Sequence, residues 1–600
     1  MKKTMNKAKK KTQRAKLTPQ QIDQRNQKKE IRQVFSNLGF ERLIGVDGKH
    51  FEYENRRSEL DDIFIFENVV VIVEYTVGNP HEHILKKSFI YERINKDYAQ
   101  FLKFLYDGNV FDSFCQRWDE IKSKYSFKQI QLRILYCSKS EVSDEDRKLI
   151  NGVSFFDYHV IQYFKSLSKV IKFSAKYEFF EFLNIDENYI GERLRKSVGG
   201  KSESYYGHIL PEEYSSFKPG HKIISFYIDA GSLMKRAYVL RREGWNNKDS
   251  IGYYQRMLDM KKIASMRKYL STKERVYINN IIATISEDHI RLYSDERKTN
   301  ELHLNNLGEF ENNNEPSQIK PVYVEIEDMS KIIGIIDGQH RTFSYYEGND
   351  VYEKEISRLR DMQNLLVTGI LFPRNESVDE RLKFEANLFL EINMTQSKVP
   401  SNLQQEIESI LDPFSTISIG KRIINELNAN GPLKKKMEQY TYDKGKIKTA
   451  SIVSFGLKPL IKYEGANCSD SIFQIWDNIN KNNLKNQELP DYELLKEYVL
   501  FSSSKIKELL IALKINIGSD LWKPYDPKDK TGVLTVTFIN GTLNLLRLLI
   551  EHGKVSSQEE YEMKLKGVEN FNFRDYKSSQ YRKMGEALYM RFFHEEDDEP

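Results

Sequence analysis

Only three cysteines, Cys115, Cys137 and Cys468, occur in 600 residues, far apart and with no Cys-x-x-Cys pair. That pattern offers neither a disulfide framework nor a zinc site, and it suits a reducing compartment. Long apolar runs are also missing. None reaches the ~20 residues a membrane helix needs, because charges interrupt every few positions. The first residues are basic but no apolar stretch follows, so no secretory signal and no membrane partner are expected, and the expected location is the cytoplasm. No G-x-x-x-x-G-K-[ST] is present, which excludes a P-loop mechanism. No internal repeat is found.

What is present is an ordinary globular composition, 40% hydrophobic and 30% charged. Six hundred residues exceed what one core supports, so roughly two to four domains are expected. The net charge of +5 is uneven: residues 1–16 carry eight Lys/Arg and no acid, leaving the other 584 residues at −3. Residues 1–18 read as a basic, disordered tail. Such a tail either contacts nucleic-acid phosphates or simply keeps the terminus solvated. Contacts to DNA elsewhere must come from local patches.

Apolar periodicity predicts a helix over 20–40, with Ile22, Ile31, Val34, Phe35 and Leu38 on one side and Gly39 ending it. An extended stretch at 50–55 follows. Then SELDDIFIFENVVVIVEYT (58–76) predicts two strands joined at Glu67-Asn68. A helical region at 82–124, an apolar strand at 129–137, and a helix, strand and aromatic helix over 143–185 complete an α/β domain at 19–190. The Gly/Ser-rich, charged stretch 191–207 reads as a linker. A second α/β domain, 208–430, has strands at 223–230, 278–285, 331–336 and 365–372, a helix at 254–270, and an exposed Asn/Glu-rich loop at 297–320. Residues 431–600 read as mainly helical. The amphipathic stretch 536–552 there suits internal packing or a homo-oligomer.

Two segments carry chemistry. The apolar strand 331–336 runs straight into Asp337-Gly338-Gln339-His340-Arg341. Gly338 permits a sharp turn, and the amides after it face a helix N-terminus, where anions bind. Arg341 can grip a phosphate with two hydrogen bonds, and His340 can donate one or move a proton. Asp337 could orient His340 or hold a cation, and Gln339 could orient water or read a base edge. In the N-terminal domain, Glu59 and Asp61 lie two apart, as do Glu74 and Thr76, so each pair shares a strand face. If the strands pair, these groups converge at one end of the hairpin. Paired carboxylates there suit Mg²⁺, with Asp61 and Glu74 as its ligands. His81 and His83 do not share a helix face and read as surface residues. The aromatic helix at 177–183 reads as core. Tyr205, Tyr206 and Tyr227 are candidate base-stacking groups.

GIIDGQHRTFSYYEG (334–348) resembles the hallmark of DGQHR-domain proteins. These include the DndB-like regulators associated with DNA phosphorothioation and, more distantly, ParB/sulfiredoxin-like nucleotide-binding domains. IASMRKYLSTKERVYINNIIATI (263–285) and FLEINMTQSKVPSNL (389–403) are similar to the family's flanking segments, so the resemblance spans roughly 208–430. It implies a site for a nucleotide or DNA phosphate, with possible hydrolysis of a nucleoside triphosphate. By resemblance the site comprises Asp337, Gly338, Gln339, His340, Arg341, Asn393, Gln396 and Lys398, with Arg267 as a weaker member. The hairpin resembles the PD-(D/E)xK nuclease pattern, S-E-L-D…V-E-Y-T standing for G-E-I-D…V-E-V-K, with Glu30 where such folds place an additional acid. Thr76 occupies the lysine position. Some relatives take that lysine from a neighbouring helix, which points to Lys86 or Lys87.

The fold class expected is thus an α/β multidomain chain: a restriction-endonuclease-like domain, a ParB/DndB-like domain and a helical C-terminal part. The expected function is anti-phage DNA defence. In it, metal-dependent cleavage through Glu59, Asp61, Glu74 and Lys86 or Lys87 would be governed by nucleotide or modified-DNA sensing. Expected partners are DNA, a nucleotide and DNA-modification or other defence proteins. A non-catalytic DndB-like DNA-binding regulator and a recruiting scaffold are the alternatives.

Overall fold

The computed structural model describes residues 17–191, 203–210, 218–239, 258–311, 319–396, 400–439, 443, 445–464, 468–486 and 489–594. It is mixed α/β, with five-, eight- and two-stranded sheets. The described residues fall into two compact units: Met1–Tyr238 with Met257–Arg374, and Val239–Arg256 with Asn375–Pro600. Both sheets that matter for the sites lie in the first unit. The division after Arg374 falls inside the stretch read from sequence as one domain over 208–430. Among the described residues, no helix is long and apolar enough to cross a membrane.

Helix α1 spans Pro19–Leu38. Thr18 caps it through a reciprocal capping box with Gln21, and Gly39, at φ 87°, ends it. Ile31, Val34, Phe35 and Leu38 are buried as the periodicity predicts, but Ile22 in the first turn is 45% exposed. Gln27 is buried instead, its amide donating to the carbonyls of Thr76 and Cys137 at 3.1 Å each. The basic tail lies outside the described residues, apart from Leu17 and Thr18.

Strands β1 (Glu41–Arg42), β4 (Asp62–Phe66), β5 (Val69–Thr76), β6 (Gln131–Ser138) and β7 (Val153–Phe156) form one sheet in the order β1-β4-β5-β6-β7. The β1/β4 and β4/β5 pairs are antiparallel, while β5/β6 and β6/β7 are parallel. The predicted turn holds: Glu67 takes φ 48°, and Asn68 ties it down by donating to the Gln129 and Tyr189 carbonyls. Every residue of β5 is buried, because helices cover both faces of the sheet. Strands β2 (His50–Tyr53) and β3 (Arg56–Glu59) make a separate two-stranded ribbon. The chain leaves regular structure at Leu60 and Asp61, so Glu59 and Asp61 do not lie on one strand, and their two-residue spacing sets no shared face. Phe179 and Phe180 of helix Lys176–Phe182 are core, as read.

The second sheet contains β8 (Glu203–Ile209), β9 (Lys222–Asp229), β10 (Ala237–Val239), β11 (Ile281–Ser286), β12 (Ile290–Tyr293), β13 (Lys320–Ile326), β14 (Ile333–Asp337) and β15 (Asn364–Phe372). Their order is β10-β14-β11-β15-β9-β8-β13-β12, and β11 and β15 run parallel. One expectation is corrected here. Residues 203–207, read as linker, begin β8, which pairs with β9 and β13; residues 192–202 lie outside the described residues. The stretch 297–320 connects β12 to β13 as the loop expected, except that Lys320 opens β13; 312–318 lie outside the described residues. Polar letters concealed both β8 and β13, which bury one face and leave the other in solvent. The predicted 254–270 helix is observed over Met260–Lys273, and residues 254–257 are not among those described.

The second unit is helical around its own core. Helix Val536–Glu551 sits at its centre and buries Phe538, Leu543, Leu545, Leu546 and Leu549, so its apolar face is spent on internal packing.

Candidate functional site

At the open end of the β4/β5 hairpin two carboxylates become neighbours. Asp62 pairs in register with Val73, so Asp61 stands beside Glu74 one step further on. The Tyr75 amide fixes Asp61 by donating to its Oδ2 at 3.0 Å. The next residue, Asp62, points the other way. It is wholly buried between Arg32 Nε (2.7 Å), Arg42 Nε (2.6 Å) and the Tyr75 hydroxyl (2.8 Å), and so anchors the strand to α1. Sequence spacing did not distinguish these two aspartates.

Glu74 is entirely buried, and its oxygens take no hydrogen bond from a backbone amide or hydroxyl. Lys87, on helix α2 (Pro80–Lys96), places Nζ 2.9 Å from Glu74 Oε2 and donates to the Glu59 carbonyl at 2.8 Å. Burial pushes the Glu74 carboxyl up to about 8; Lys87 pulls it down, and Asp61 and Glu59 push it further up. Of the two lysines that the sequence offered, Lys87 reaches Glu74, whereas Lys86 is exposed. The Glu59 carboxylate is half-exposed and lies 3.5 Å from His50 Nδ1, so Glu59 brings the site its carbonyl.

Two more α2 residues face the site. His83 is half-buried, packed on Tyr136 with ring centroids 5.5 Å apart; burial and then the Lys87 charge hold its pKa below the ordinary value. The reading of His83 as a surface residue is therefore corrected, while His81 is exposed and bonded to Asp146 at 2.6 Å. Tyr91 buries an unbonded hydroxyl in the field of Glu74 and Asp61. His83, Lys87 and Tyr91 are four apart, one stripe of a helix, and that spacing is a signal the sequence did carry. From α1, Lys28 reaches Asp61 Oδ1 at 2.8 Å and Asp47 at 2.9 Å. Burial opposes the Lys28 charge, but the bonds to Asp61 and Asp47 win, and its pKa is raised. Glu30, expected as an additional acid, bonds Gln162 and Lys165 instead.

Among the described residues, no three His, Cys, Asp or Glu side chains gather around one point. A divalent cation here would have Asp61 and Glu74 and complete its shell with water and phosphate, which suits Mg²⁺. Buried Glu74, whose Oε1 has no partner of its own, fits such an ion. Lys28 would have to release Asp61.

The second candidate site follows β14. Gly338 takes φ 97°, and a Cβ there would stand 2.4 Å from Ile281 Cδ1, so the turn demands glycine. The helix that follows, Gln339–Phe343, has only five residues. Arg341 folds back, donating to Asp337 Oδ2 (3.0 Å) and the Asn280 carbonyl (2.9 Å). His340 Nε2 accepts from the Asp259 amide at 3.0 Å, at the start of helix Met260–Lys273. Gln339 is 3% exposed, with neither amide atom bonded, and the Thr342 hydroxyl is likewise enclosed and unbonded. That unmet polarity beside the turn is a feature a ligand would satisfy.

Arg267, the weaker phosphate candidate, is corrected to a structural role. Its buried guanidinium bonds the Ser344 and Tyr346 carbonyls, Asp350 and Glu353, and lies 3.7 Å over the Tyr346 ring. It clamps the segment after the turn. That clamped segment also meets the N-terminal domain: the Glu347 amide donates to Ser174 Oγ at 2.9 Å, and Lys176 pairs with Glu347 at 2.7 Å. Asn393 and Gln396 lie on helix Val378–Gln396 of the second unit, where the Asn393 amide bonds the Phe389 carbonyl of its own helix. Lys398 lies outside the described residues. Tyr206 and Tyr227 expose 55% and 59% of their surface on neighbouring strands β8 and β9, and Tyr206 also meets Tyr323 at 5.2 Å. Tyr205 is half-buried.

No family model, curated protein or solved structure matches this chain.

Proposed function

We propose that the chain is a DNA-associated defence protein of restriction type, whose N-terminal domain cleaves DNA with a divalent metal and whose DGQHR segment senses a nucleotide or modified DNA. The observation that carries this reading is Lys87 beside buried Glu74, with Asp61 next to it on the hairpin. Two carboxylates and one ammonium are the side chains that phosphodiester hydrolysis uses to hold a metal and offset phosphate charge. The order of antiparallel and parallel strands supports a restriction-endonuclease-like domain.

Asp61 and Glu74 would hold Mg²⁺, which when bound supplies a hydroxide nucleophile and charge neutralisation. Lys87 would donate to the water or to a phosphate oxygen. Lys28, displaced from Asp61 by the metal, would be left facing the substrate phosphate. His83 and Tyr91 wall the site and limit solvent around Glu74. At the second site, Gln339 and Arg341 would take a nucleotide or DNA phosphate, and a nucleoside triphosphate there would be a regulator or a second substrate. The Glu347–Ser174 contact gives such binding a route to the nuclease-like domain.

One observation favours a second reading, a DndB-like DNA-binding regulator without catalysis: both carboxylates already carry lysine partners, which a metal would have to displace. Incubation of purified protein with plasmid, Mg²⁺ and each nucleoside triphosphate separates the two. Nicking that needs Mg²⁺ supports the nuclease; release of phosphate alone supports a nucleotide-hydrolysing sensor; neither supports the regulator. DNA-modification or other defence proteins are partners that either reading admits.

A further inference from the structure

In the helical unit, the turn Gly431-Pro432-Leu433-Lys434-Lys435-Lys436 packs against helix Tyr492–Ile517. The Trp522 indole fixes the turn by donating to the Pro432 carbonyl at 2.8 Å. Gly431, at φ 93°, abuts the Lys507 stem, and a Cβ there would lie 3.4 Å from Lys507 Cδ. Lys507 and Lys514 are seven residues apart, two turns along one side of the helix. Between turn and helix lies a surface cavity of about 370 Å³, lined by Gly431, Pro432, Ile511, Lys514, Ile515 and Ser519.

The cations around this cavity are unbalanced. Lys514 lines it, Lys507 lies against Gly431 and Lys436 feels the Lys514 charge; among the described residues these three form no ion pair, although on the same helix Lys496 pairs with Glu493 and Lys505 with Glu508. Burial, and then repulsion from Lys514, holds the Lys436 pKa below its ordinary value. Asp520, exposed next to Ser519, is the one acid adjoining the cavity lining in sequence. Like charges held near an apolar floor, without counter-ions, are stabilised by a multivalent anion.

We infer that this cavity, with Lys514 in its lining and Lys507 and Lys436 beside it, is a phosphate-binding site, its anion supplied by a nucleic-acid backbone or by a free polyphosphate. The site is separate from the Asp61–Glu74 cluster and does not depend on it. Planar carboxylate ligands would leave most of the lysines unengaged, whereas successive phosphates can engage cations on both turn and helix.

The test uses the full chain in EDTA, so that cleavage plays no part, with a short fluorescent DNA duplex and inorganic tripolyphosphate as probes. The double variant Lys507→Gln/Lys514→Gln is compared with the parent, with Lys496→Gln as a control for loss of a cation elsewhere on the same helix and Lys507→Arg/Lys514→Arg to restore charge. The expected result is duplex binding weakened about tenfold, with a salt dependence shallower by about 0.9 for each phosphate that the variant no longer neutralises. The Arg pair and the Lys496 variant should bind as the parent does. Loss of duplex binding assigns the site to the backbone, and loss of tripolyphosphate binding alone assigns it to a free polyphosphate. Unchanged affinity for both probes, at an unchanged salt slope, overturns the proposal. So does weakening that the Arg pair fails to restore.

Discussion

Lys87 Nζ, on helix α2, stands 2.9 Å from Glu74 Oε2 on strand β5. In the proposed nuclease this lysine takes the place of the one that strand β5 lacks at Thr76. Substituting Lys87 by Met should lower metal-dependent cleavage by about two orders of magnitude or more, the usual scale for one electrostatic group at a reacting phosphate. Lys86→Met, one residue away and exposed, should leave the rate within about twofold. Parallel plasmid-nicking rates of the two variants check this.

The buried Glu74 carboxyl makes stability depend on pH. In the folded chain it keeps its proton up to about pH 8, whereas the unfolded chain releases it near 4.5. Between those values the folded state binds the extra proton, so stability falls as pH rises. The steepest slope is about 1.4 kcal/mol per pH unit, and the loss over the window is on the order of a few kcal/mol. Glu74→Gln should remove that slope and be more stable than the parent at alkaline pH. Urea unfolding without metal at acidic and alkaline pH measures it, and added Mg²⁺ should recover part of the alkaline loss.

Arg267 spans two carbonyls and two acids from a fully buried position. Arg267→Ala removes its bonds to the two carbonyls and to Asp350 and Glu353 at once, although Glu353 keeps Arg360 and Asp350 keeps the Tyr346 hydroxyl, and a loss of roughly 2–4 kcal/mol is expected. Arg341→Ala removes a partly exposed pair with Asp337 and should cost under about 1 kcal/mol. Thermal or urea unfolding of both variants distinguishes a clamp from a ligand-facing residue.

Much of the framework was legible because its signals are local. The Thr18–Gly39 helix, the β4/β5 hairpin and the strand ending at Asp337 are set by caps, alternation and a single glycine. Strands β8 and β13 were not legible: they are half-exposed and polar, and only pairing with distant strands makes them strands. Glu59 shares no strand face with Asp61 because the chain leaves the strand at Leu60, which side-chain parity does not reveal. Arg267 showed its charge but not its burial. Lys87 was one of two adjacent candidates, and only the helix face chose between them. The stripe His83-Lys87-Tyr91 would have made that choice from spacing alone.

The central claim is that Asp61 and Glu74 form a metal-dependent nuclease centre. The most direct measurement is cleavage of plasmid DNA by the Asp61→Ala/Glu74→Ala double variant, with Mg²⁺ and each nucleoside triphosphate, beside the parent and with DNA binding measured on both. The account predicts that the parent nicks in Mg²⁺ but not in EDTA, and that the variant binds DNA yet does not nick. Nicking by the variant at the parent's rate, or a parent that binds DNA and never cuts under any of these conditions, would contradict it.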